Sequence, residues 1–215
     1  HKYVSRRIAH LMERPVEEIN TITCHLGNGA SLCAIRGGQS VDTSMGFTPL
    51  AGVLMGTRCG DLDPAVVLRL VEDPDYGDPA VVDRLLNKES GLLGVSGLSN
   101  DMRVLEEKAH WNPRAQLALD LFNYRVRGVL GSYLATLGRV DAIVFTGGIG
   151  ENGVLTRTAV CAGLEPLGIR LDTAANDATV RGAEGPIHHG DSATEVWVIP
   201  TDEEGQIARE TLAVL

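Results

Sequence analysis

Two glycine-rich segments of the chain have the residue types and spacing that could bind a phosphate group. The first, His25-Leu26-Gly27-Asn28-Gly29, joins two alternating apolar runs and predicts a β-hairpin with glycine at its tip. Successive backbone N–H groups at such a tip can surround an anion, because glycine lets the backbone approach it closely. His25 adds a titratable ring beside the tip. An ordinary type I′ hairpin turn would produce the same pattern.

The second segment follows the apolar run Ala142–Phe145, which predicts a buried strand. That strand leads through Gly147-Gly148 into a helix predicted from about Glu151 to Leu167, and free N–H groups at a helix start favour phosphate. The sequence GGIGEN has neither the spacing of a dinucleotide-binding turn nor the lysine–serine pair of a P-loop. A packing turn is the alternative, but two such segments in one chain favour nucleotide binding.

A third segment places one arginine, Arg58, among glycines and aspartates in Thr57–Pro64. A guanidinium on an immobilised loop can stabilise the charge on a phosphoryl group during its transfer. An ion pair between Arg58 and Asp61 or Asp63 is the alternative interpretation.

Two further polar segments are predicted to lie at helix starts. Asn100-Asp101 precedes a short helix and is typical of an N-cap. Thr201 is predicted to open the last helix, with Glu204 completing a capping box. That arrangement leaves the carboxylate of Glu203 available to Mg²⁺ or to solvent.

The remaining pattern predicts the elements that position these segments. Apolar residues recur at helical spacing near the N-terminus, and Gln39–Ser44 and Glu195–Ile199 are predicted strands. The longest helix is predicted to run to Gly138, and its interior Gly128 and Gly131 predict that another backbone packs closely against it. Three helix starts are predicted where a capping residue precedes proline, at Asp63-Pro64, Asp78-Pro79 and Asn112-Pro113.

Composition limits the possible functions. The 215 residues are 44% hydrophobic and 22% charged, which is typical of a globular protein. A net charge of −9 argues against a nucleic acid or an anionic membrane surface as partner, and no apolar run is long enough to span a membrane. Four cysteines without CxxC spacing predict reduced thiols in a cytoplasmic protein; they are Cys24, Cys33, Cys59 and Cys161.

The chain is predicted to form one domain over residues 1–215, with a leading helix over 1–19, a core over 20–202 and a terminal helix over 203–215. It begins at His1 without a methionine and inside a helical pattern. We therefore expect it to be part of a longer polypeptide.

The order and spacing of these motifs resemble those of acetate kinases along essentially the whole chain. The resemblance is carried by HKYV, HLGNGAS, GFTPLAGVLMGTRCGDLDP, SGLLGVSGLSNDMR, FTGGIGEN and IPTDEE. It implies an α/β, actin-like ATPase domain of the superfamily that includes sugar kinases and actin, with a mixed central sheet flanked by helices. It also implies reversible phosphoryl transfer from ATP to acetate, giving acetyl phosphate and ADP, with this chain as the C-terminal domain and the N-terminal half absent.

The resemblance also implies roles for individual residues. His1 and Arg58 would stabilise the transition state, Pro49 would line the pocket of the acetate methyl group, and Glu203 would help to hold Mg²⁺. The nucleotide would contact three segments, made of His25, Leu26, Gly27, Asn28 and Gly29; of Asp101, Met102 and Arg103; and of Gly148, Ile149, Gly150, Glu151 and Asn152.

Two departures from the family pattern lie beside Glu203. Gly205 stands where a leucine is usual, and Asp202 replaces a common asparagine and adds negative charge. Without the absent half, we expect the chain to bind nucleotide without turnover and to form a homodimer. The alternatives are a non-catalytic nucleotide-binding or dimerisation module, and a kinase for propionate or butyrate.

Overall fold

A computed structural model describes residues 1–214, with only the backbone at position 213. The α-helices are α1 Lys2–Leu11, α2 Pro64–Glu72, α3 Pro79–Lys88, α4 Gly91–Ser96, α5 Met102–Lys108, α6 Pro113–Leu137, α7 Gly147–Asn152, α8 Val154–Cys161, α9 Thr173–Ala178 and α10 Glu203–Val214. The strands are β1 Asn20–Leu26, β2 Ala30–Arg36, β3 Gln39–Thr43, β4 Ala142–Thr146, β5 Gly185–Pro186 and β6 Glu195–Val198. Short 3₁₀ turns occupy Val16–Glu18 and Glu165–Leu167.

The strands form one mixed sheet in the order β3-β2-β1-β4-β6-β5. Strands β1, β4 and β6 run parallel, whereas β3 and β5 pair antiparallel to their neighbours. All five residues of β4 are buried, as expected for a parallel strand covered on both faces. The α/β class with a mixed, helix-flanked sheet is therefore confirmed.

The chain divides into two compact units. Unit 1 comprises residues 1–26, 32–43 and 130–215, and unit 2 comprises residues 27–31 and 44–129. Unit 1 contains nearly all of the sheet. One of its apolar clusters joins α1 to the sheet through Val4, Ile8, Ala142, Val144 and Ile199.

Unit 2 contains the tip of the predicted hairpin, helices α2 to α5 and the first part of α6. The predicted caps are present, because the carboxylates of Asp63 and Asp78 accept hydrogen bonds from the N–H groups of Ala65 and Ala80. Helix α6 begins at the predicted Pro113 and ends at Leu137, one residue before the predicted end.

The prediction of one helix from Glu151 to Leu167 was wrong. Helix α7 begins at Gly147, directly after β4, and α8 starts separately after Gly153, whose ψ of 75° interrupts the helix. Gly147 has a φ of +77°, and a Cβ atom there would lie 2.8 Å from the carbonyl oxygen of Leu26. Only glycine fits this position without strain.

Two further predictions were wrong. Among the described residues, no atom outside the adjacent backbone of α6 lies within 4 Å of a Cβ built on Gly128 or Gly131, so no other backbone of this chain packs closely there. Helix α10 is capped by Asp202, whose carboxylate accepts from the N–H of Gly205, and not by a box of Thr201 and Glu204. Gly205 has no Cβ atom, which leaves room for that carboxylate.

The leading helix ends at Leu11, and the 3₁₀ turn completes the stretch predicted as one helix to residue 19. All four cysteines carry reduced thiols, as predicted. No helix of the described part is long and apolar enough to cross a membrane.

Candidate functional site

In unit 1 the candidate residues collect at the carboxyl ends of the parallel strands. Strand β1 ends at Leu26 and β4 ends at Thr146, and the register places His25 beside Thr146. Helix α7 follows β4 at once, and Thr201 follows β6 by a few residues. Ligands of open α/β sheets bind at this edge. We call His1, His25, Glu151 and Glu203 the strand-end group.

The two histidines of the strand-end group are neighbours. The Nδ1 atom of His1 lies 2.7 Å from the hydroxyl oxygen of Thr23, which is buried in β1. The rings of His1 and His25 meet edge to face, with their centroids 6.4 Å apart. Burial lowers the pKa of His25, and the nearby carboxylates of Glu203 and Glu151 oppose that shift. Both rings can therefore act as hydrogen-bonding groups at this edge.

Glu151 connects two segments of the strand-end group. One of its carboxylate oxygens accepts from the N–H of Gly147 at 3.0 Å and from the N–H of Thr201 at 3.3 Å. The resemblance assigns Glu151 to the nucleotide, and the structure shows that its side chain is already engaged within the protein. Its carboxylate thus ties the start of α7 to the segment that precedes α10.

The other members of GGIGEN differ in exposure. Gly148 and Asn152 are exposed, Ile149 is partly exposed and Gly150 is buried. The side chain of Asn152 donates to the carbonyl of Gly148 at 3.0 Å. Exposed backbone at Gly148 is therefore the accessible part of this turn.

Glu203 lies in the first turn of α10 with an exposed side chain. Among the described residues it forms no hydrogen bond or ion pair. Its neighbour Asp202 is engaged by the N–H of Gly205 and, at 3.4 Å, by Arg209. Of these two carboxylates, Glu203 is the one available to a ligand.

These carboxylates can be tested against the needs of a magnesium ion. Within residues 1–214 no three histidine, cysteine, aspartate or glutamate residues cluster as a self-sufficient metal site. Mg²⁺ is commonly held by one or two carboxylates together with substrate phosphates and water. The unpaired carboxylate of Glu203 fits that kind of site.

In unit 2 the hairpin tip is held by residues far away in sequence. The carbonyl of Asn28 accepts from the N–H of Gly56 at 3.0 Å, and its side-chain oxygen accepts from Asn100 at 3.0 Å. The N–H of Gly27 closes the tip by donating to Gly29. The prediction of a hairpin with a glycine–asparagine–glycine tip is confirmed.

Arg58 lies against this tip. One of its terminal nitrogens would be 3.3 Å from a Cβ on Gly29, and it lies 3.5 Å from the carbonyl of Pro49 and 3.7 Å from the sulfur of Met55. Among the described residues Arg58 forms no ion pair. Asp61 instead lies 3.7 Å from Arg125, so the ion-pair interpretation of Arg58 was wrong.

The backbone around Arg58 is fixed by a series of hydrogen bonds. Met55 donates to the carbonyl of Arg58, Cys59 donates to Leu86 at the end of α3, and Ser90 donates to Thr57. The loop is therefore immobilised, as its proposed chemistry requires. We call the tip Gly27–Gly29 together with Arg58 the arginine–tip group.

The third predicted nucleotide segment begins α5, also in unit 2. The carboxylate of Asp101 caps the helix through the N–H of Arg103, and the guanidinium of Arg103 pairs with the same carboxylate at 2.6 Å. That pairing lowers the pKa of Asp101. Met102 is buried, so its side chain is not available to a ligand.

Three residues near the strand-end group were not predicted from the sequence. Thr23 contacts His1, Thr146 has a buried hydroxyl without a partner among the described residues, and Arg157 is completely buried. A signal existed for Arg157, because it shares the apolar stripe of α8 with Val160 and Cys161 at helical spacing.

Comparison with known proteins places this arrangement in a family. The model of the acetokinase family matches residues 1–209. Acetate kinase of Dictyoglomus thermophilum is 55% identical over the whole chain, which corresponds to 53% of that relative. The crystal structure of Porphyromonas gingivalis acetate kinase matches with a TM-score of 0.94 and 44% identity over all of this chain and 53% of that one.

A propionate kinase from Francisella tularensis also matches, with a TM-score of 0.89 and 39% identity over 98% of this chain and 53% of that one. The chain thus spans about half the length of the relatives it matches. The predicted actin-like fold class agrees with these neighbours. The chain belongs to the acetokinase family.

Proposed function

We propose that this chain binds a magnesium–nucleotide complex and supplies residues for phosphoryl transfer between ATP and acetate. The observation that carries the proposal is Arg58, a guanidinium without an ion-pair partner among the described residues, held on a fixed loop against a glycine tip. Phosphoryl transfer needs such cations around the transferred group more than it needs covalent chemistry.

The chemistry follows from the charges of the reactants. An acetate oxygen attacks the γ-phosphorus as the bond from phosphorus to the β,γ-bridging oxygen breaks, which gives acetyl phosphate and ADP. Acetate is ionised at neutral pH, so the nucleophile needs no general base. The protein must instead position two anions and offset their repulsion. Arg58 would supply about 2–4 kcal/mol of transition-state stabilisation, as other preorganised donors do.

We propose that His1 also donates to the transferred group, with the hydroxyl of Thr23 setting the orientation of its ring. The backbone N–H groups of Gly29 and Gly148 would hold phosphate oxygens, and the segment Asp101–Arg103 would contact the nucleoside. Glu203 would hold Mg²⁺ together with the phosphates. When bound, the ion would neutralise phosphate charge.

Calorimetry and an acetyl phosphate assay test this proposal together. We expect this chain to bind MgADP but to form little acetyl phosphate alone. Activity should appear when the portion that it lacks relative to the Dictyoglomus enzyme is supplied. Absence of binding at millimolar MgADP would contradict the proposal, and so would rapid turnover by this chain alone. Binding without turnover in the completed protein would favour the non-catalytic module.

Propionate is a second candidate acceptor, because one of the matching structures is that of a propionate kinase. Pro49, the residue that the family pattern assigns to the methyl pocket, is exposed in unit 2. The same assay with acetate, propionate and butyrate would rank the acceptors by kcat/KM. A higher value for propionate would replace acetate as the proposed substrate.

We also propose a homodimer and a reducing, cytoplasmic location. Four reduced thiols support the location. The open face of α6 around Gly128 and Gly131, with exposed Tyr124, supports a contact between copies. Sedimentation at several concentrations tests the dimer. A monomer at tens of micromolar would contradict it, and an open-ended size distribution would indicate unspecific association of apolar surface.

A further inference from the structure

Arg157 is fully buried in α8, yet all five of its guanidinium N–H groups have acceptors. Nε donates to the side-chain oxygen of Asn176 at 2.6 Å. Nη1 donates to the carbonyls of Gly150 at 2.9 Å and Glu151 at 2.8 Å. Nη2 donates to the carbonyls of Asn176 at 2.7 Å and Thr179 at 3.0 Å. A guanidinium has five donors, so the group is completely satisfied.

None of these acceptors is a carboxylate. Burial lowers the pKa of Arg157 to about 10, while Asp177 and the thiol of Cys161 act in the opposite direction. The group remains charged at neutral pH. A buried cation held only by neutral oxygens is costly to place in a protein interior, and a packed apolar side chain would avoid that cost. The position of its acceptors indicates what the cation does.

Two of the acceptors belong to the last turn of α7. The carbonyls of Gly150 and Glu151 lie at the negative end of that helix, where a cation is favourable. Asn176 extends the network by donating to the carbonyl of Val154 and to the hydroxyl of Thr158. The C-terminal end of α7 is thereby attached to α8 and α9 from inside unit 1.

We propose that Arg157 is a positioning residue for nucleotide binding, because it fixes α7, and with it the exposed backbone at Gly148, from the buried side. This inference rests on the proposed function: Arg157 would support nucleotide binding without contacting the nucleotide. Without the guanidinium, the carbonyls of Gly150 and Glu151 lose their partners, and the turn is free to adopt other conformations. Nucleotide must then order the turn when it binds, which weakens its affinity.

The test compares MgADP affinity by calorimetry in this chain and in three variants. We expect Arg157→Met to raise Kd by about tenfold or more, as misplacement of a binding group does. Arg157→Lys keeps the charge but not the planar fork, so it should recover part of the affinity. The control is Val160→Ala, which truncates a buried side chain of the same helix and leaves the five hydrogen bonds in place. It should lower thermal stability and change Kd less than about twofold.

Each outcome decides the proposal. If the wild-type chain does not bind MgADP, the proposed function fails. If it binds and Arg157→Met binds equally well, the positioning role is wrong. If Val160→Ala weakens binding as much as Arg157→Met, lost stability is the explanation and the role is again wrong.

A measurement on the wild-type chain covers the case in which a variant does not fold. We expect the amide protons of Gly150–Asn152 to exchange slowly with solvent before nucleotide is added, because Arg157 already orders the turn. Rapid exchange that becomes slow only with MgADP would overturn the proposal.

Discussion

The strand-end group of unit 1 and the arginine–tip group of unit 2 are built in different ways. His25 takes its place from the register of β1 on β4, so a ladder of backbone hydrogen bonds positions it. Arg58 lies in a loop, and its place depends on separate backbone hydrogen bonds to the end of α3 and the residues before α4. The difference suggests that single loop substitutions affect the second group more than the first.

The largest expected effect concerns Arg58. It is measured in the completed enzyme, meaning this chain together with the portion that it lacks relative to the Dictyoglomus enzyme. Arg58→Ala should lower turnover by about 10²–10³-fold, the usual loss for one transition-state donor, with less change in nucleotide affinity. Arg58→Lys should retain only part of the wild-type turnover, because a point charge lacks the planar fork of the guanidinium. Steady-state kinetics measures the change in turnover. The control is Arg84→Ala, because Arg84 is an exposed arginine of the same unit. Turnover within about threefold of wild type would make Arg58 a structural residue.

The next prediction tests how strongly the position of the Arg58 loop depends on its close contact with Gly91. Gly91 has a φ of +64°, and a Cβ there would lie 2.2 Å from the carbonyl oxygen of Met55 and 2.9 Å from that of Arg58. Gly91→Ala should therefore displace the Arg58 loop and lower the free energy of unfolding by about 1–3 kcal/mol.

The matched variant in unit 1 is Gly147→Ala, at a φ of +77° beside the carbonyl of Leu26. It should destabilise the chain by a similar amount. In the completed enzyme we expect Gly91→Ala to reduce kcat and Gly147→Ala to raise the KM for nucleotide. Equal effects of the two variants on both kinetic parameters would contradict separate roles for Arg58 in turnover and for the turn at Gly148 in nucleotide binding.

A smaller effect is expected at Glu203. Glu203→Gln keeps the size of the side chain and removes its charge, so the affinity for MgADP should fall several-fold, whereas the affinity for ADP without metal should not fall. Calorimetry with and without Mg²⁺ measures the difference. Glu204→Gln, one residue further along α10, is the control. An equal loss with and without the metal would argue against a role of Glu203 in holding Mg²⁺.

The smallest effect is a pH dependence at His25. Burial lowers its pKa in the folded chain, so the unfolded chain, with a pKa of about 6.5, binds the proton more readily. The contribution of His25 to stability is therefore complete above that value and is lost as the pH falls below it. Unfolding of wild type and His25→Gln between pH 5 and pH 8 should show a steeper loss for wild type.

The titration of the His25 ring by NMR gives a sharper check. Its midpoint should lie below the usual range and fall further in Glu203→Gln, since the carboxylate of Glu203 raises the pKa. A midpoint at or above the usual value would show that burial does not dominate at this position.

Local sequence signals were sufficient for most elements of the fold. The hairpin, the third strand and the helix starts after Asp63, Asp78 and Asn112 all follow from turn, capping and proline chemistry that acts over a few residues. The family pattern then supplied the site residues, whose roles remain predictions. Local signals could not predict the features that depend on contacts between residues far apart in sequence.

The errors illustrate that limit. The start of α7 at Gly147 depends on the neighbouring strand β1, because the carbonyl of Leu26 leaves no room for a Cβ atom there, and a helical pattern does not record this contact. The space around Gly128 is a property of the packed chain. Asp202 caps α10 in place of Thr201, and Glu151, fifty residues away in sequence, engages the N–H of Thr201 that the predicted box assigned to Glu204.

Under the proposed function, that last contact affects which forms of a nucleotide the chain would accept. Glu151 already occupies the N–H groups of Gly147 and Thr201, and Glu203 stands nearby with its charge exposed. An uncomplexed nucleotide would bring its full negative charge against these two carboxylates. The same nucleotide with a divalent cation would bring far less. The acidic edge of the sheet would thus act as a filter that repels free nucleotide and admits the complexed form.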